Sequence, residues 1–287
     1  MAKETFDGLC VLALESRRAR EIAKLIANLG GVPTVAPSVR EVPLESNQDA
    51  LQFARQLAAG EIDIAIFTTG VGVKALLAAV ESICSRDQMA SHLNQIVVVA
   101  RGPKPAAALR ELGVRVSLSA PEPSTWRDLL IVLDENKSAV PLSGRRVAVQ
   151  EYGVPNAELN AALEQRGARV IPVCVYRWAL PDDLGPLRNA VDAVIRGDVH
   201  VLLVASSVQI QHLFQVAEQM GKQEALHKAL ARVVITSIGP LTSEELRNRG
   251  LSIDIECTHP KMGFLVQEAA LKGAEILQRK RAVHSSA

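Results

Sequence analysis

The chain has 287 residues, of which 48% are hydrophobic, 22% charged and only 3% aromatic. Its 32 Lys and Arg against 31 Asp and Glu give a net charge of +1, which argues against a broad basic face for nucleic acid and against an acidic disordered chain. The length predicts two domains. The four cysteines form no CxxC pair, and the amino-terminal segment lacks the basic region and cleavage site of a signal peptide. We therefore expect a cytoplasmic protein without a membrane span.

Short apolar runs rich in β-branched residues alternate along the chain with helical patterns rich in Ala, Leu, Glu and Arg. The apolar runs predict buried parallel strands at residues 9–14, 62–67, 96–100, 147–150, 170–173, 201–205 and 233–237. The intervening patterns predict helices at residues 19–28, 51–58, 105–111, 157–166, 207–220 and 242–248. This alternation predicts an α/β fold with parallel sheets. The basic residues 279–281 are interpreted as a frayed tail.

The two halves of the chain are similar to each other. Residues 64–116 align with residues 201–253 without a gap, and residues 8–11 align less strictly with residues 144–147. Unrelated α/β units also look alike, but an ungapped series of strands, turns and helices favours internal duplication. We therefore expect two similar parallel-sheet α/β lobes with a cleft between them.

Two extended segments bracketed by proline, residues 35–43 and 171–181, fall at equivalent points of the two halves. Proline disfavours helix both for itself and for the residue before it. If the two segments run side by side, they form a two-stranded linker between the lobes.

Ligands of open α/β sheets bind beyond the carboxyl ends of the strands, so the loops that follow strands are candidate binding segments. One matched pair of such loops is Thr69-Gly70 and Ser206-Ser207. Their hydroxyls either cap the next helix or help its N–H groups to bind an anion. Residues 70–75 also fit G-x-G-x-x-A, the dinucleotide fingerprint, but the aligned copy has no glycine.

A second matched pair consists of two Gly-Pro turns, in which a glycine admits a close ligand and a proline starts a helix. The candidate residues in these turns are Arg101, Gly102, Lys104, Gly239, Pro240 and Thr242. The two cations are either a solvated pair or a clamp for a carboxylate or phosphate. Thr242 also fits a plain helix N-cap.

Further candidates follow the first strand and its counterpart, where Arg17, Tyr152 and Gly153 add polar groups to the expected cleft. Tyr176 lies in the second linker, where it either packs under the hinge or donates a proton. The six histidines show no metal-ligand spacing, and neither a nucleophile elbow nor a phosphate loop occurs. No metal site is predicted.

The chain resembles the uroporphyrinogen-III synthase family over nearly its whole length. The resemblance rests on the order and spacing of IDIAIFTTGVGVKALL, VVVARGPKPAAALRELG, VAVQEYGVPNAELNAAL, VCVYRWALP and ITSIGPLTSEELRNRGL. It implies two α/β lobes joined by a two-stranded linker. The first lobe is then discontinuous, with residues 1–38 and 176–287, and the second lobe comprises residues 39–175.

The resemblance also implies an activity, the cyclisation of hydroxymethylbilane to uroporphyrinogen III with inversion of ring D and loss of water. Such an enzyme is a lyase of porphyrin and heme biosynthesis, and the family uses no metal or organic cofactor. Tyr176, Ser206 and Thr242 align with a linker tyrosine, a lobe-one serine and a threonine after Gly-Pro, which implies catalytic roles for them.

The implied partners are hydroxymethylbilane and uroporphyrinogen III in the interlobe cleft, and the preceding hydroxymethylbilane-forming enzyme. We expect a monomer that binds neither nucleic acid nor a membrane. The chain departs from the family at residues 14–17, which read LESR where many members carry Thr-Arg-Pro, and at residues 204–206, which read VAS in place of FTS. A non-catalytic tetrapyrrole-sensing module on the same fold is therefore the second hypothesis, and a nucleotide-dependent oxidoreductase is the third.

Overall fold

The structure is a computed structural model that describes residues 5–43, 47–151, 153 and 156–284. The strands, in chain order, are β1 (Cys10–Ala13), β2 (Val32–Val35), β3 (Arg40–Pro43), β4 (Ile64–Phe67), β5 (Val97–Ala100), β6 (Leu118–Ser119), β7 (Arg146–Gln150), β8 (Arg169–Val173), β9 (Tyr176–Ala179), β10 (Val201–Val204), β11 (Val234–Ser237) and β12 (Ile255–Glu256).

The helices are α1 (Ala19–Asn28), α2 (Gln48–Ala58), α3 (Gly70–Val80), α4 (Arg86–Leu93), α5 (Pro103–Glu111), α6 (Trp126–Glu135), α7 (Ala157–Gln165), α8 (Gly185–Arg196), α9 (Ser207–Gln219), α10 (Gln223–Leu230), α11 (Pro240–Asn248) and α12 (Met262–His284). The chain divides into two compact units. Unit 1 comprises Met1–Arg40 and Ala179–Ala287, and unit 2 comprises Glu41–Trp178.

Each unit contains a parallel five-stranded sheet, with the order β12-β11-β10-β1-β2 in unit 1 and β6-β5-β4-β7-β8 in unit 2. The central pairs have the same register, since Val11 lies opposite Val201 in unit 1 and Val147 lies opposite Ile64 in unit 2. These are the residues that the internal alignment equates. The predicted α/β fold with two similar parallel sheets is confirmed.

Both faces of each sheet are covered by helices, which explains why the strands read as continuous apolar runs. In β4, Ile64 and Ile66 pack on one side in a cluster with α6 and α7, while Ala65 and Phe67 pack on the other side with α2, α3 and α5. Unit 1 is built in the same way, with clusters on each face of β1 and β10. Strands β3 and β9 pair as a separate two-stranded sheet, and the boundary between the units falls within both of them.

The interpretation of residues 279–281 as a frayed tail is wrong, because they belong to the long helix α12. Lys280 Nζ lies 2.6 Å from Asp254 Oδ2 and donates a hydrogen bond to the Val233 carbonyl oxygen at 2.7 Å. The long lysine side chain thus reaches the amino-terminal end of β11. Neither α12 nor any other helix in the described ranges has the length and apolar character that crossing a membrane requires.

Candidate active site

The turn after β4 is held in place by two threonine hydroxyls and a buried glutamine. Thr68 Oγ1 donates a hydrogen bond to the Gln150 carbonyl oxygen at 2.8 Å, and Thr69 Oγ1 accepts one from the Gly72 N–H at 2.9 Å, which caps α3. The Gln150 amide accepts a bond from the Thr69 N–H through Oε1 at 3.3 Å and donates through Nε2 to the Glu151 carbonyl oxygen. Thr69 is therefore fixed at the start of α3.

Tyr176, the first residue of β9, brings its hydroxyl to the same turn. Its Oη lies 3.3 Å from Thr69 Oγ1, and the residue is 5% exposed. The ring packs in the core cluster of unit 2. Since the Gly72 N–H already donates to Thr69 Oγ1, the hydroxyl hydrogen of Thr69 can point to Tyr176 Oη. The fold thus joins two site residues that the sequence predicts separately.

Gly70 and Gly72 are explained by close packing. A Cβ on Gly70 would lie 2.9 Å from the carbonyl oxygen of Lys104, which opens α5 together with Pro103. A Cβ on Gly72 would lie 2.1 Å from Gln150 Nε2. Both glycines therefore allow neighbouring groups to approach the first turn of α3. The G-x-G-x-x-A match follows from this packing and does not support dinucleotide binding.

The Gly-Pro turn after β5 lies beside the same strand end. The Arg101 N–H donates to the Phe67 carbonyl oxygen at 2.9 Å, which ties this turn to the end of β4. A Cβ on Gly102 would lie 2.6 Å from Ser124 Oγ, so the turn also touches the loop before α6. Lys104 is exposed in the first turn of α5. The backbones of Arg101 and Lys104 thus lie beside the turn that carries Thr69 in unit 2.

In the loop after β7, Tyr152 lies outside the described residues. Glu151 is 2% exposed and accepts hydrogen bonds from the Asn156 N–H at 3.1 Å and from Asn160 Nδ2 at 2.9 Å. Its carboxylate is therefore used at the amino terminus of α7, where the helix dipole favours a negative charge. A Cβ on Gly153 would lie 2.8 Å from Trp178 Nε1, so this residue packs against the indole.

In unit 1, the turn after β10 carries two serine hydroxyls, those of Ser206 and Ser207. Ser206 precedes α9 and Ser207 begins it, and both are half-buried. Neither hydroxyl makes a hydrogen bond within the part of the chain that the structure describes. Gln209 Oε1 instead accepts a bond from the Ala205 N–H at 2.8 Å. Both serines can therefore meet a ligand at the amino terminus of a 13-residue helix.

In the Gly-Pro turn after β11, the interpretation of Thr242 as an N-cap is wrong. The helix begins at Pro240 after Gly239, because proline suits the first helical position, and this makes Thr242 the third residue of α11. Ser243 Oγ donates to Ser237 Oγ at 2.9 Å, whereas the Thr242 hydroxyl has no hydrogen-bond partner among the described residues. Thr242 is 4% exposed, so only a small part of this residue is accessible to a ligand at the start of α11.

The loop after β1 mainly holds the chain segment that precedes β3. Ser16 Oγ accepts hydrogen bonds from the N–H groups of Ser38 and Val39 at 3.0 and 2.9 Å. The Ser38 carbonyl oxygen lies 2.6 Å from His212 Nδ1, and burial lowers the pKa of His212, which favours the neutral ring. Arg17 is exposed on this loop.

Sequence reasoning missed the two glutamines, Gln150 and Gln209, which are 2% and 5% exposed. The available signal was a polar residue at the end of an apolar strand and another in the first turn of an apolar helix. Within the described ranges, no group of three or more His, Cys, Asp or Glu side chains is arranged to hold a metal ion.

Fold and site together define a class: a duplicated α/β protein with hydroxyls and helix amino termini in the turns at the carboxyl ends of its strands, where such folds bind their ligands. The family described as Uroporphyrinogen-III synthase HemD matches residues 20–267. The chain belongs to this uroporphyrinogen-III synthase family.

Individual relatives are similar over most of the chain. The chain is 29% identical to "Uncharacterized protein YjjA" of Bacillus subtilis, covering 89% of this chain and 92% of the relative. It is 30% identical to the "Putative uroporphyrinogen-III synthase" of Methanothermobacter thermautotrophicus, covering 82% and 87%. A crystal structure of a mutant uroporphyrinogen III synthase from Thermus thermophilus is 27% identical, with a TM-score of 0.70, and the match covers 95% of this chain and all of that one.

Proposed function

We propose that the protein is a uroporphyrinogen-III synthase, a hydro-lyase that cyclises hydroxymethylbilane to uroporphyrinogen III with inversion of ring D and loss of water. The family match over residues 20–267 carries this proposal. The likeness to the Thermus thermophilus enzyme over 95% of the chain supports it.

Binding of this substrate relies on local donors. Hydroxymethylbilane carries acetate and propionate groups, but a net charge of +1 gives the protein little long-range attraction for them. We assign the carboxylates to the turns at the carboxyl ends of the two sheets, which carry helix N–H groups, hydroxyls and basic residues. The proposed contacts are Arg17, Thr69, Gly70, Arg101, Gly102, Lys104, Tyr152, Gly153, Ser207, Gly239 and Pro240, with Ser206 and Thr242 nearest the reacting ring.

The first chemical step removes the hydroxyl group from the terminal hydroxymethyl carbon, and the departing oxygen needs a proton. We assign this proton to Tyr176 Oη. The Thr69 hydroxyl, 3.3 Å away, then donates to the phenolate that remains. The electrophilic carbon is attacked by the substituted carbon of ring D, which gives a spiro intermediate, and rearrangement inverts the ring. The proton lost in the final aromatisation returns to Tyr176, so the cycle is balanced and redox-neutral.

The isomer of the product tests the proposal. Hydroxymethylbilane closes spontaneously to the type I isomer, so incubation with the protein followed by chromatographic separation of the isomers gives a direct readout. We expect the type III isomer in excess. If type I alone is formed at the spontaneous rate, the chain is not a synthase, and tetrapyrrole binding without conversion would then favour the sensing module.

Two neighbouring residues of α11 provide a matched pair of variants. We expect Thr242→Val to lower kcat/KM about tenfold with little change in Tm, because it removes a hydroxyl without an internal partner and conserves the shape. Ser243→Ala removes a hydroxyl that bonds Ser237, so it should lower Tm by a few degrees and change kcat/KM less than about twofold. Steady-state kinetics and thermal unfolding distinguish them. The reverse pattern would remove Thr242 from the site.

A further inference from the structure

A buried glutamine amide lies at the start of α3 in unit 2 and at the start of α9 in unit 1. The two glutamines come from different positions of the repeat. In unit 2 the amide belongs to Gln150, at the end of β7, and in unit 1 to Gln209, in the first turn of α9. The internal alignment places Gly72 on Gln209 and Leu14 on Gln150. A glutamine in one copy is therefore matched by a small or apolar residue in the other.

In unit 2, the Gln150 amide occupies the space that a side chain at position 72 would need. A Cβ on Gly72 would lie 2.1–2.3 Å from the three amide atoms of Gln150, so the Gln150 amide fills the volume where a side chain at position 72 would start. At the aligned position 209, a glutamine side chain does start there, and the residue at position 14 is leucine. The glutamine is thus exchanged between the two aligned positions: unit 2 has Gln150 with Gly72, and unit 1 has Leu14 with Gln209.

The exchange changes which N–H group is bonded. Gln150 Oε1 accepts from the Thr69 N–H at 3.3 Å, whereas Gln209 Oε1 accepts from the Ala205 N–H at 2.8 Å, one residue earlier in the aligned turn. In unit 2 the Thr69 N–H is therefore used internally, and the Thr69 hydroxyl meets Gly72 and Tyr176. In unit 1 the corresponding hydroxyl, that of Ser206, has no partner within the described residues.

We propose that Gln150 is a positioning residue for Tyr176, acting through Thr69, and that this glutamine exchange gives the duplicated turns different tasks. The turn of unit 2 orients the Tyr176 hydroxyl, and the turn of unit 1 presents Ser206 to substrate. The inference rests on the proposed function, in which Tyr176 is the proton donor. The Gln150 amide is held at both ends, by the Thr69 N–H and by the Glu151 carbonyl oxygen, so it fixes Thr69 in one orientation.

The test transplants the arrangement of unit 1 into unit 2. Gln150→Leu alone removes the amide, and we expect both a lower Tm and a kcat about tenfold lower, with KM changed less than about twofold. The double variant Gln150→Leu/Gly72→Gln places leucine and glutamine at the positions that Leu14 and Gln209 hold in unit 1. We expect the new glutamine to bond the N–H of position 68, as Gln209 bonds the Ala205 N–H. The double variant should recover much of the Tm but not kcat, because the Thr69 N–H stays unbonded.

A double-mutant cycle with Tyr176→Phe tests the route of action. If Gln150 acts through the Tyr176 hydroxyl, Gln150→Leu should cause little further loss of kcat in the Tyr176→Phe background. Gln209→Leu is the matched control, since it removes the buried amide of unit 1, and its effect on kcat should multiply with that of Tyr176→Phe. Thr69→Val, which removes the intermediate hydroxyl and leaves the core filled, goes through the same cycle in case Gln150→Leu does not fold.

Three outcomes overturn the inference: full recovery of kcat in the double variant, multiplicative losses for Gln150→Leu and Tyr176→Phe, or multiplicative losses for Thr69→Val and Tyr176→Phe. Wild-type protein is assayed first for the product isomer. If it forms no type III isomer, the proposed function fails, and this inference fails with it. If it forms type III and the losses multiply, only the positioning role fails.

Discussion

Replacement of Tyr176 by phenylalanine is expected to lower kcat about 100-fold while formation of the type III isomer continues. The variant removes the proton donor for the departing hydroxyl but keeps the ring, which is 5% exposed and packed in the core of unit 2. Water can protonate the leaving group more slowly. The remaining acceleration comes from folding the flexible substrate so that the substituted carbon of ring D attacks. Single-turnover kinetics with separation of the isomers measures both quantities.

Two results would contradict this expectation in different ways. Complete loss of turnover in a folded Tyr176→Phe variant would mean that proton donation is indispensable and that substrate folding contributes little. An unchanged kcat would remove Tyr176 as the donor. Thermal unfolding is the control, because removal of the hydroxyl contact with Thr69, at 3.3 Å, should cost about 1 kcal/mol.

The sequence predicted the seven strands β1, β4, β5, β7, β8, β10 and β11, because their physical signal is strong and local. It did not indicate β2, β6 and β12, of which β6 and β12 are only two residues long. Residues 64–67 form a continuous apolar run that is buried on both faces, and the structure has a strand there. Five helices were missed: α4, α6, α8, α10 and α12. Two of them begin with a capping box, Ser85 with Gln88 and Thr125 with Asp128, which was a readable signal for a helix start.

The candidate site was predictable only as separate parts. The strand-end rule indicates Thr69, and the linker position indicates Tyr176, but their contact depends on how β9 packs in unit 2. Nothing local in the sequence shows that Gln150 bonds the Thr69 N–H, because the two residues are 81 positions apart. The internal alignment contained a clue, since it aligns Gly72 with Gln209. Reading that clue requires knowing that the amide of Gln150 fills the space above Gly72.

The largest stability effect is expected at Lys280, in the segment that the sequence suggested was frayed. Lys280 and Asp254 are 16% and 13% exposed at their side chains, and their charged atoms are 2.6 Å apart. Lys280→Met leaves the Asp254 carboxylate with the Ile235 N–H but without its cation. Removing one partner of a largely buried pair typically costs about 3 kcal/mol, so we expect a loss of that size in urea unfolding.

The neighbouring residue supplies the control for Lys280. Arg279 pairs with Glu275 on the surface, where both side chains are about 70% exposed, so Arg279→Met should change stability by less than about 0.5 kcal/mol. The double variant Lys280→Met/Asp254→Asn should recover part of the loss, because no unpaired charge remains. A loss for Lys280→Met as small as that for Arg279→Met would refute the anchoring role.

The position of the pair also predicts where the damage appears. Lys280 and Asp254 bond the chain at Val233 and Ile235, where β11 begins, whereas Ser237 and the turn to α11 lie where β11 ends. Lys280→Met should therefore raise the rate of amide hydrogen exchange more in β11 and α12 than in the turn around Thr242. Below the unfolding range, kcat/KM should stay within about twofold of wild type. A parallel loss of activity and exchange protection would mean that the two ends of β11 are rigidly coupled.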